Sequence, residues 1–233
     1  VSGVRTHEKL GYNVKKIALI QNGYDTNQLQ PSEDARIALR KSWGIGPSQV
    51  LIGMVARYDL QKDHTNLIAA LTLLESRKVP DWCCVLVGSG ITSTKISLGA
   101  QIGQSNVIDR LLIMGPHNDI SAVMNALDLH VLSSTFGEGF PNVVAEAMAC
   151  GTPCVTTDVG DAALIVSDIG WVVPHSDAAA LAQAIHEALD EMKDSDKWNT
   201  RREACRKGII ENYSLERMIM SYTRVWSDAI NEK

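Results

Sequence analysis

Two glutamates lie on either side of a predicted helix start in this sequence. Glu138 lies in a glycine-rich loop, and Glu146 lies in a short segment that is otherwise small and apolar. Because carboxylates are seldom buried without a partner, a glutamate in such a segment is a candidate ligand-binding residue. Pro141 suits the first residue of a helix, where its missing N–H costs nothing. The next backbone N–H groups would then point towards an anion, and they belong to Asn142, Val143 and Val144.

This layout suits a ligand with hydroxyl groups at both ends and a diphosphate between them, such as a nucleotide-sugar. Each carboxylate also has an ordinary alternative. Glu138 could be a solvated loop residue, and Glu146 could be a side chain stabilised by the positive end of the helix dipole.

Arg57 and Lys62 are candidate phosphate ligands. Arg57 ends an apolar run, which places it at the C-terminal edge of a parallel strand, where open α/β sheets bind ligands. Lys62 follows five residues later in a loop. When a sugar leaves a diphosphate, negative charge grows on the phosphates, and fixed cations stabilise that transition state more than the ground state. The alternative is a pair of surface cations in ordinary salt bridges.

Two longer motifs surround these residues. Ser-Ser-Thr-Phe-Gly-Glu-Gly-Phe-Pro occupies positions 133–141, and Glu-Ala-Met-Ala-Cys-Gly-Thr-Pro occupies positions 146–153. Together they resemble the signature of family 4 glycosyltransferases, which are retaining, two-domain enzymes of the GT-B fold. The signature belongs to their C-terminal, donor-binding domain. The resemblance runs from about Val14 to the last helix, and the further matching segments are 22–25, 53–57 with Lys62, 87–90 and Gly115.

The resemblance implies a role for each candidate. Arg57 and Lys62 would contact the diphosphate in place of a metal, and Glu138 would bind donor-sugar hydroxyls near the reacting carbon. Glu146 would hold both ribose hydroxyls, a bidentate task that suits one carboxylate. These expectations make Glu138, Arg57 and Lys62 the catalytic residues. The expected donor contacts are Gly88, Met114, Gly115, His117, Gly139, Phe140, Pro141, Asn142, Val143, Val144 and Glu146.

Some of these assignments carry qualifications. Gly88 would either let its loop pass close to the donor or simply make a turn. His117 would be a surface or base-edge contact rather than a catalyst. The sequence also departs from the family pattern, because Asp63 stands where Gly usually follows the lysine. The segment 159–164 lacks a second Gly and a Glu, so Leu164 inherits no polar role.

The elements that must position these residues alternate between short apolar runs and helical patterns, which predicts an α/β fold with a Rossmann-like parallel sheet flanked by helices. A weak helical pattern over 92–105 is interrupted by glycines. The predicted strands are Ile17–Ile20, Val50–Ala56, Trp82–Val87, Leu111–Met114, Leu127–Leu132, Cys154–Thr156 and Trp171–Val173. The predicted helices are Asp34–Lys41, Thr65–Glu75, Ile120–Ala126, Asn142–Cys150, Ala178–Met192, Lys197–Asn212 and Leu215–Asn231.

Composition excludes several classes of function. A net charge of −5, a pI near 5.7 and only 5% aromatic residues argue against a nucleic-acid partner. No run approaches the ~18 apolar residues of a membrane span. The odd number of cysteines, without a Cys-x-x-Cys pair, indicates reduced thiols and a cytoplasmic location. After Gly88 and Gly90, a third dinucleotide-binding glycine would fall at Ser93, which disfavours an oxidoreductase. No metal or other cofactor is expected, and 194–196 is interpreted as a linker.

The sequence therefore predicts one half of a GT-B enzyme. Residues 1–16 are expected to connect to a missing N-terminal acceptor-binding domain, 17–193 to bind the donor, and 194–233 to cross over to that missing domain. Any peripheral membrane association would run through the missing domain. The expected reaction is transfer from a nucleotide-diphospho-sugar, with UDP preferred, to a glycan or lipid-linked acceptor. The alternatives are a non-catalytic nucleotide-sugar binding module and a GT-B epimerase or phosphorylase.

Overall fold

The sheet is parallel and has six strands. The computed structural model describes residues 2–77, 79–91 and 106–231, so the weak helical pattern predicted over 92–105 lies outside the described residues. The strands run in the order β3-β2-β1-β4-β5-β6, so the chain reverses its direction of winding between β1 and β4. The strands are β1 (Val50–Val55), β2 (Trp82–Val87), β3 (Leu111–Met114), β4 (Leu129–Leu132), β5 (Cys154–Thr157) and β6 (Trp171–Val173).

The helices agree with the predicted pattern to within one or two residues at each end. Aspartates cap several of them: for example, Asp177 accepts a hydrogen bond from the N–H of Ala180 at 2.9 Å. The described helices are α1 (Ser2–Lys9), α2 (Glu33–Ser42), α3 (His64–Glu75), α4 (Ile120–Ala126), α5 (Asn142–Ala149), α6 (Ala162–Val166), α7 (Ala178–Glu191), α8 (Ser195–Tyr213) and α9 (Leu215–Asn231).

Hydrophobic layers cover both faces of the sheet. All six residues of β1 and all six of β2 are buried, as expected for parallel strands with helices on either side. Helices α3 and α7 pack against each other in one layer, whereas α5 packs against α8 in the other. The resulting α/β architecture confirms the predicted fold class.

The predicted strand Ile17–Ile20 is wrong. Ile17 follows a 3-10 turn, Val14–Lys16, and the next residues form no regular element. The first strand-like contact of this segment is an isolated bridge between Tyr24 and Ser214. An apolar run becomes a strand only where a neighbouring strand pairs with it, and Leu19 remains 51% exposed.

Two helices were not predicted. Helix α1 contains a single apolar residue, Val4, so it carries no amphipathic pattern. Helix α6 has only five residues, which is too short for a helical period to show. Helix α1 falls within the expected interdomain connection over 1–16, and that assignment stays a prediction.

Three other expectations can be compared with the structure. The five cysteines are buried and free, and burial raises the pKa of Cys83 and of Cys150 to about 11. Asp194 lies at the N-terminal cap of α8, where its side chain accepts the N–H of Lys197 at 3.2 Å. The linker expected over 194–196 is therefore wrong, because Ser195 and Asp196 are the first residues of α8. Across residues 2–77, 79–91 and 106–231, no helix has both the length and the apolar character that a bilayer crossing needs.

Candidate functional site

The loops after β1 and β4 meet at the point where the winding of the sheet reverses. Because the strands are parallel, their C-terminal ends share one edge, and ligands of open α/β sheets bind where the strand order switches. The Ser133 hydroxyl joins the two loops by donating to the carbonyls of Lys62 and Asp63 at 2.9 and 3.0 Å. The N–H of Thr135 donates to the Gln61 carbonyl at 2.9 Å.

Lys62 and Glu138 form an ion pair at the junction of these loops. The Lys62 Nζ lies 2.5 Å from Glu138 Oε1, and the two side chains are only 13% and 7% exposed. Asp63 takes the left-handed conformation, with φ of 46°, and its side chain caps α3 through the N–H of Asn66. A left-handed φ suits glycine best, but Asp tolerates it and adds the cap here. The departure from the family pattern therefore leaves the loop intact.

Arg57 lies at the end of β1, as predicted, but its side chain is more exposed than that of Lys62. Its guanidinium contacts Gln61 Oε1 at 3.1 Å and Asp59 Oδ2 at 3.5 Å, and the side chain is 58% exposed. The backbone N–H of Gln61, followed by the charge of Arg57, lowers the pKa of Asp59. Arg57 is therefore held near the edge of the sheet by weak, solvent-exposed contacts that a ligand phosphate could replace.

Gly88 supports the same loop through its backbone. A Cβ on Gly88 would lie 2.0 Å from the carbonyl oxygen of Ala56, and its φ of 155° already disfavours a side chain. The N–H of Tyr58 donates to the Ser89 carbonyl at 2.8 Å. Glycine at position 88 thus lets the loop after β2 lie directly against the residues before Arg57.

The start of α5 differs from the prediction in two details. Pro141 is the N-cap rather than the first helical residue, because its ψ of 101° is extended. The N–H of Val144 is not free, since it donates to the Pro141 carbonyl at 3.1 Å in a tight first turn. The amides of Asn142 and Val143 remain as the anion-binding groups at this helix start.

The Asn142 side chain is fixed by the segment near the start of the chain. Its Oδ1 accepts hydrogen bonds from Asn22 Nδ2 at 2.9 Å and from the Tyr24 hydroxyl at 2.8 Å. The Phe140 ring stacks on Tyr24 and meets Tyr213 edge to face, with centroid distances of 6.4 and 5.3 Å. The ring of Phe140 therefore anchors the loop, and its backbone and that of the exposed Gly139 are the parts left for a ligand.

Glu146 is half-buried on the second turn of α5. Burial alone raises the pKa of its carboxyl group, because no cation offsets the loss of water. In the same region, burial and the nearby charge of Glu146 raise the pKa of Tyr24, which keeps its hydroxyl protonated. Within the part of the chain that the structure describes, no ion pair or hydrogen bond engages the Glu146 carboxylate. It is therefore free to accept hydroxyl donors from a ligand.

The third group of predicted contacts lies at the end of β3. Met114 packs on the hydrophobic layer that contains α5, whereas Gly115 is exposed with open space around it. The His117 ring meets Trp43 edge to face at 6.3 Å, and its Nδ1 lies 3.0 Å from the Asp119 carbonyl oxygen. No described hydrogen bond joins His117 to the Glu138 loop. A cleft of about 550 Å³ lies nearby, bounded by 23–25, 28–29 and 118–121.

The structure adds site residues that the sequence did not assign. Ser134 is fully buried, and its hydroxyl lies 2.5 Å from Glu138 Oε1. Gly160 has a φ of 67°, and a Cβ there would lie 2.3 Å from the Glu138 carbonyl oxygen. Asn22 and Tyr24 were noted only as parts of a motif. Their roles depend on contacts between loops that are far apart in the sequence.

Metal-binding potential was searched across the described segments. No cluster of three or more His, Cys, Asp or Glu side chains there has a metal-binding arrangement. The chemistry that the site can perform with its own groups is anion binding by Lys62, Arg57 and the α5 start, together with hydroxyl binding by two carboxylates.

Comparison with solved structures places the fold among glycosyltransferases. A Rickettsia africae ESF-5 glycosyltransferase superposes with a TM-score of 0.88 at 21% identity, covering 100% of this chain and 63% of that one. Anabaena HepE, crystallised with UDP-glucose, superposes with a TM-score of 0.84 at 23% identity, covering 97% of this chain and 61% of the other. Both are GT-B-like neighbours, and at these identities they establish the fold.

Comparison of sequences identifies relatives with named activities. A UDP-Gal:alpha-D-GlcNAc-diphosphoundecaprenol alpha-1,3-galactosyltransferase of Escherichia coli is 26% identical over 94% of this chain and 56% of its own length. The lipopolysaccharide core biosynthesis mannosyltransferase LpsB of Rhizobium meliloti (strain 1021) is 30% identical over 74% of this chain and 50% of its own. The chain thus spans about half the length of these relatives.

Most of the chain also matches one protein family. The match extends over residues 35–205 and so includes Arg57, Lys62, Glu138 and Glu146. The chain therefore belongs to the family of glycosyl transferases group 1.

Proposed function

We propose that this chain is the C-terminal, donor-binding domain of a family 4-type, retaining glycosyltransferase that works without a metal ion. In this proposal it binds a nucleotide-diphospho-sugar, preferably a UDP-sugar, and the acceptor is a glycan or a lipid-linked sugar held by another domain. The observation that carries the proposal is the Lys62–Glu138 pair, which lies at the sheet switch point beside the α5 start.

Each part of the donor has a complementary group in this arrangement. The ribose hydroxyls would bind the half-buried Glu146, and the diphosphate would bind Lys62, Arg57 and the amides of Asn142 and Val143. The donor sugar would lie against Glu138. As the bond between the sugar and the diphosphate breaks, its electron pair remains on the phosphate oxygen, where the cations stabilise it. The acceptor oxygen forms the new bond to the sugar, and its proton passes to the departing phosphate.

The named relatives support transferase chemistry, and those whose names carry a uridine nucleotide favour a uracil base. The Escherichia coli relative is named for galactosyl transfer from UDP-Gal, and the Rhizobium relative for mannosyl transfer. HepE was crystallised with UDP-glucose. The location of the whole enzyme in the cytoplasm, and the crossing of 194–233 to another domain, belong to the same proposal.

Calorimetry with this chain tests the proposal. We would titrate UDP, GDP and ADP, and then UDP-glucose, UDP-galactose and GDP-mannose, each with and without EDTA. The expected result is binding of a nucleoside diphosphate that chelation leaves unchanged. Binding that disappears with EDTA would refute the metal-free mechanism, and absence of nucleotide binding would refute the donor-binding role.

A non-catalytic binding module would give the same titration. Activity of the whole enzyme separates the two, because only a transferase passes the sugar to an acceptor. A radiolabelled donor sugar and an extract of lipid-linked acceptors would provide that measurement.

A further inference from the structure

Ser134 lies directly behind Glu138, and nothing in the proposed donor contacts explains it. Its side chain is fully buried at the end of β4, and its hydroxyl donates to Glu138 Oε1 at 2.5 Å. The Thr157 hydroxyl, on neighbouring β5, donates to the Ser134 carbonyl at 2.5 Å. Thr157 therefore holds the backbone of Ser134, and the Ser134 side chain in turn holds the carboxylate.

The two donors to Glu138 both use the same oxygen. The Lys62 ammonium and the Ser134 hydroxyl each lie 2.5 Å from Oε1. Among the described residues, no donor contacts Oε2. Two donors on one oxygen fix the rotation of the carboxylate, and hydrogen bonds to a charged acceptor are the stronger kind. The other oxygen is thereby left for a ligand.

We propose that Ser134 is a positioning residue that holds Glu138 Oε1, so that Oε2 faces the hydroxyl groups of the donor sugar. The inference rests on the proposed function, since it assigns an orientation to the sugar-binding carboxylate. Ser134 itself does not touch the nucleotide. Its loss should weaken recognition of the sugar and leave recognition of the nucleoside diphosphate unchanged.

The test measures a ratio of two dissociation constants by calorimetry. The ligand is whichever nucleotide-sugar binds most tightly to the unmodified chain: UDP-glucose, UDP-galactose or GDP-mannose. For each variant, the Kd of that nucleotide-sugar is divided by the Kd of the nucleoside diphosphate that it contains, UDP or GDP. We expect Ser134→Ala to raise this ratio by about tenfold, the effect of losing one hydrogen bond to a charged group. Thr157→Val should raise it by a smaller factor.

A matched control separates positioning from loss of stability. Thr152 is also buried, and its hydroxyl donates to the Met124 carbonyl at 2.8 Å, away from the Glu138 loop. Thr152→Val therefore removes a buried hydroxyl-to-carbonyl bond without reaching the site. It should lower the melting temperature and leave the ratio of the two dissociation constants unchanged.

The effect must also depend on Glu138. In a Glu138→Ala background, Ser134→Ala should change the ratio by less than about twofold, because the carboxylate it orients is gone. The inference is overturned if Ser134→Ala leaves the ratio unchanged, if it weakens sugar and nucleotide equally, or if its effect persists without Glu138. Failure of the unmodified chain to bind any nucleotide would instead overturn the proposed function, and this inference with it.

Discussion

The Lys62–Glu138 ion pair is largely buried, and burial determines how much its loss should lower the free energy of unfolding. Removing one partner leaves the other charge buried without compensation, which destabilises proteins by about 3–5 kcal/mol. We expect Lys62→Ala to lower the free energy of unfolding by about 3 kcal/mol, since the side chains keep 13% and 7% of their exposure. Urea denaturation measures this change.

An exposed ion pair provides the control for that prediction. Lys193 and Asp190 lie 2.7 Å apart, with side chains 54% and 64% exposed. Lys193→Ala should therefore cost less than about 1 kcal/mol. Equal costs for the two lysine variants would show that the site pair is hydrated, and that Glu138 is not held as described.

The two glutamates should be separable by their effects on free nucleotide. Glu146→Ala removes the proposed ribose contact, so it should weaken UDP binding by about tenfold to a hundredfold. Glu138→Ala should not weaken UDP binding, because its proposed contact is the sugar and the Lys62 charge remains for the diphosphate. Calorimetric titration of both variants with UDP checks this, and equal affinities for the two would contradict the ribose role.

Burial of Glu146 should also make the stability of the chain depend on pH. Burial raises its pKa in the folded chain, so the folded state favours the protonated form, and ionisation above that pKa lowers stability. Glu146→Gln removes this cost, and the melting temperature at pH 7 should rise by up to about 2–4 °C, equivalent to ~1 kcal/mol for a chain of this size. The gain should vanish at pH 4, where the native carboxyl is largely protonated. An equal gain at both pH values would assign the effect to packing.

At the residue scale, the sequence predicts the charged residues of the site but not the residues that hold them in position. The types and spacing of Arg57, Lys62, Glu138 and Glu146 predicted where charged groups would gather. Ser134 and Gly160 lie in segments that the sequence singles out, but no role could be assigned to them, because a buried serine or a loop glycine has no distinctive pattern. Their roles arise from tertiary contacts with Glu138.

At the scale of elements, the loop between β5 and α6 supports the Glu138 loop. The N–H of Asp161 donates to the Gly139 carbonyl at 2.8 Å, and Gly160 packs against the Glu138 carbonyl. Gly160→Ala should therefore cost the ~1–2 kcal/mol of a left-handed alanine plus a further ~1–3 kcal/mol of overpacking. It should also weaken binding of the donor sugar. Chemical denaturation and sugar titration measure the two effects.

Gly44 is the natural comparison for that substitution. Its φ of 73° is similar, but a Cβ there would meet no atom within 4 Å. Gly44→Ala should show only the backbone cost of about 1–2 kcal/mol and no loss of sugar binding. If both alanine variants behaved alike, close packing of Gly160 on Glu138 would be ruled out.

The accuracy of the predicted elements follows from their environment. Strands β1 and β2 are buried on both faces, so they appear in the sequence as continuous apolar runs. Residues Ile17–Ile20 are similarly apolar but pair with none of the described strands, and composition cannot reveal that. Helix α6 is short enough that only its packing against β5 and α5 defines it.

At the scale of the whole molecule, the residues alone do not predict the order of the strands, and only the resemblance to the GT-B fold bears on it. Alternating strands and helices predict a parallel sheet, but they do not say which strands are neighbours. The order places β1 beside β4, and this brings into contact two residues 76 positions apart, Lys62 and Glu138. That neighbourhood, rather than any local pattern, creates the site.

Helix α9 is the element least integrated into the molecule. None of its described residues is buried, although its sequence has an apolar face. Tyr222, Trp226 and Ile230 are 42%, 64% and 72% exposed, so the helix does not pack wholly on its own domain. Contiguous exposed apolar side chains commonly mark a surface that another part of a protein covers.

In the single chain that the structure describes, Trp226 should therefore be open to water. We expect acrylamide to quench a fraction of its tryptophan fluorescence that Trp226→Phe removes, whereas Trp82→Phe should leave that fraction intact, because Trp82 is 1% exposed. Light scattering measures the mass in the same solution. A dimer with shielded Trp226 would mean that a second copy covers the helix. A monomer with shielded Trp226 would show that α9 folds back on its own domain, and the crossover of residues 194–233 to another domain would then have to be abandoned.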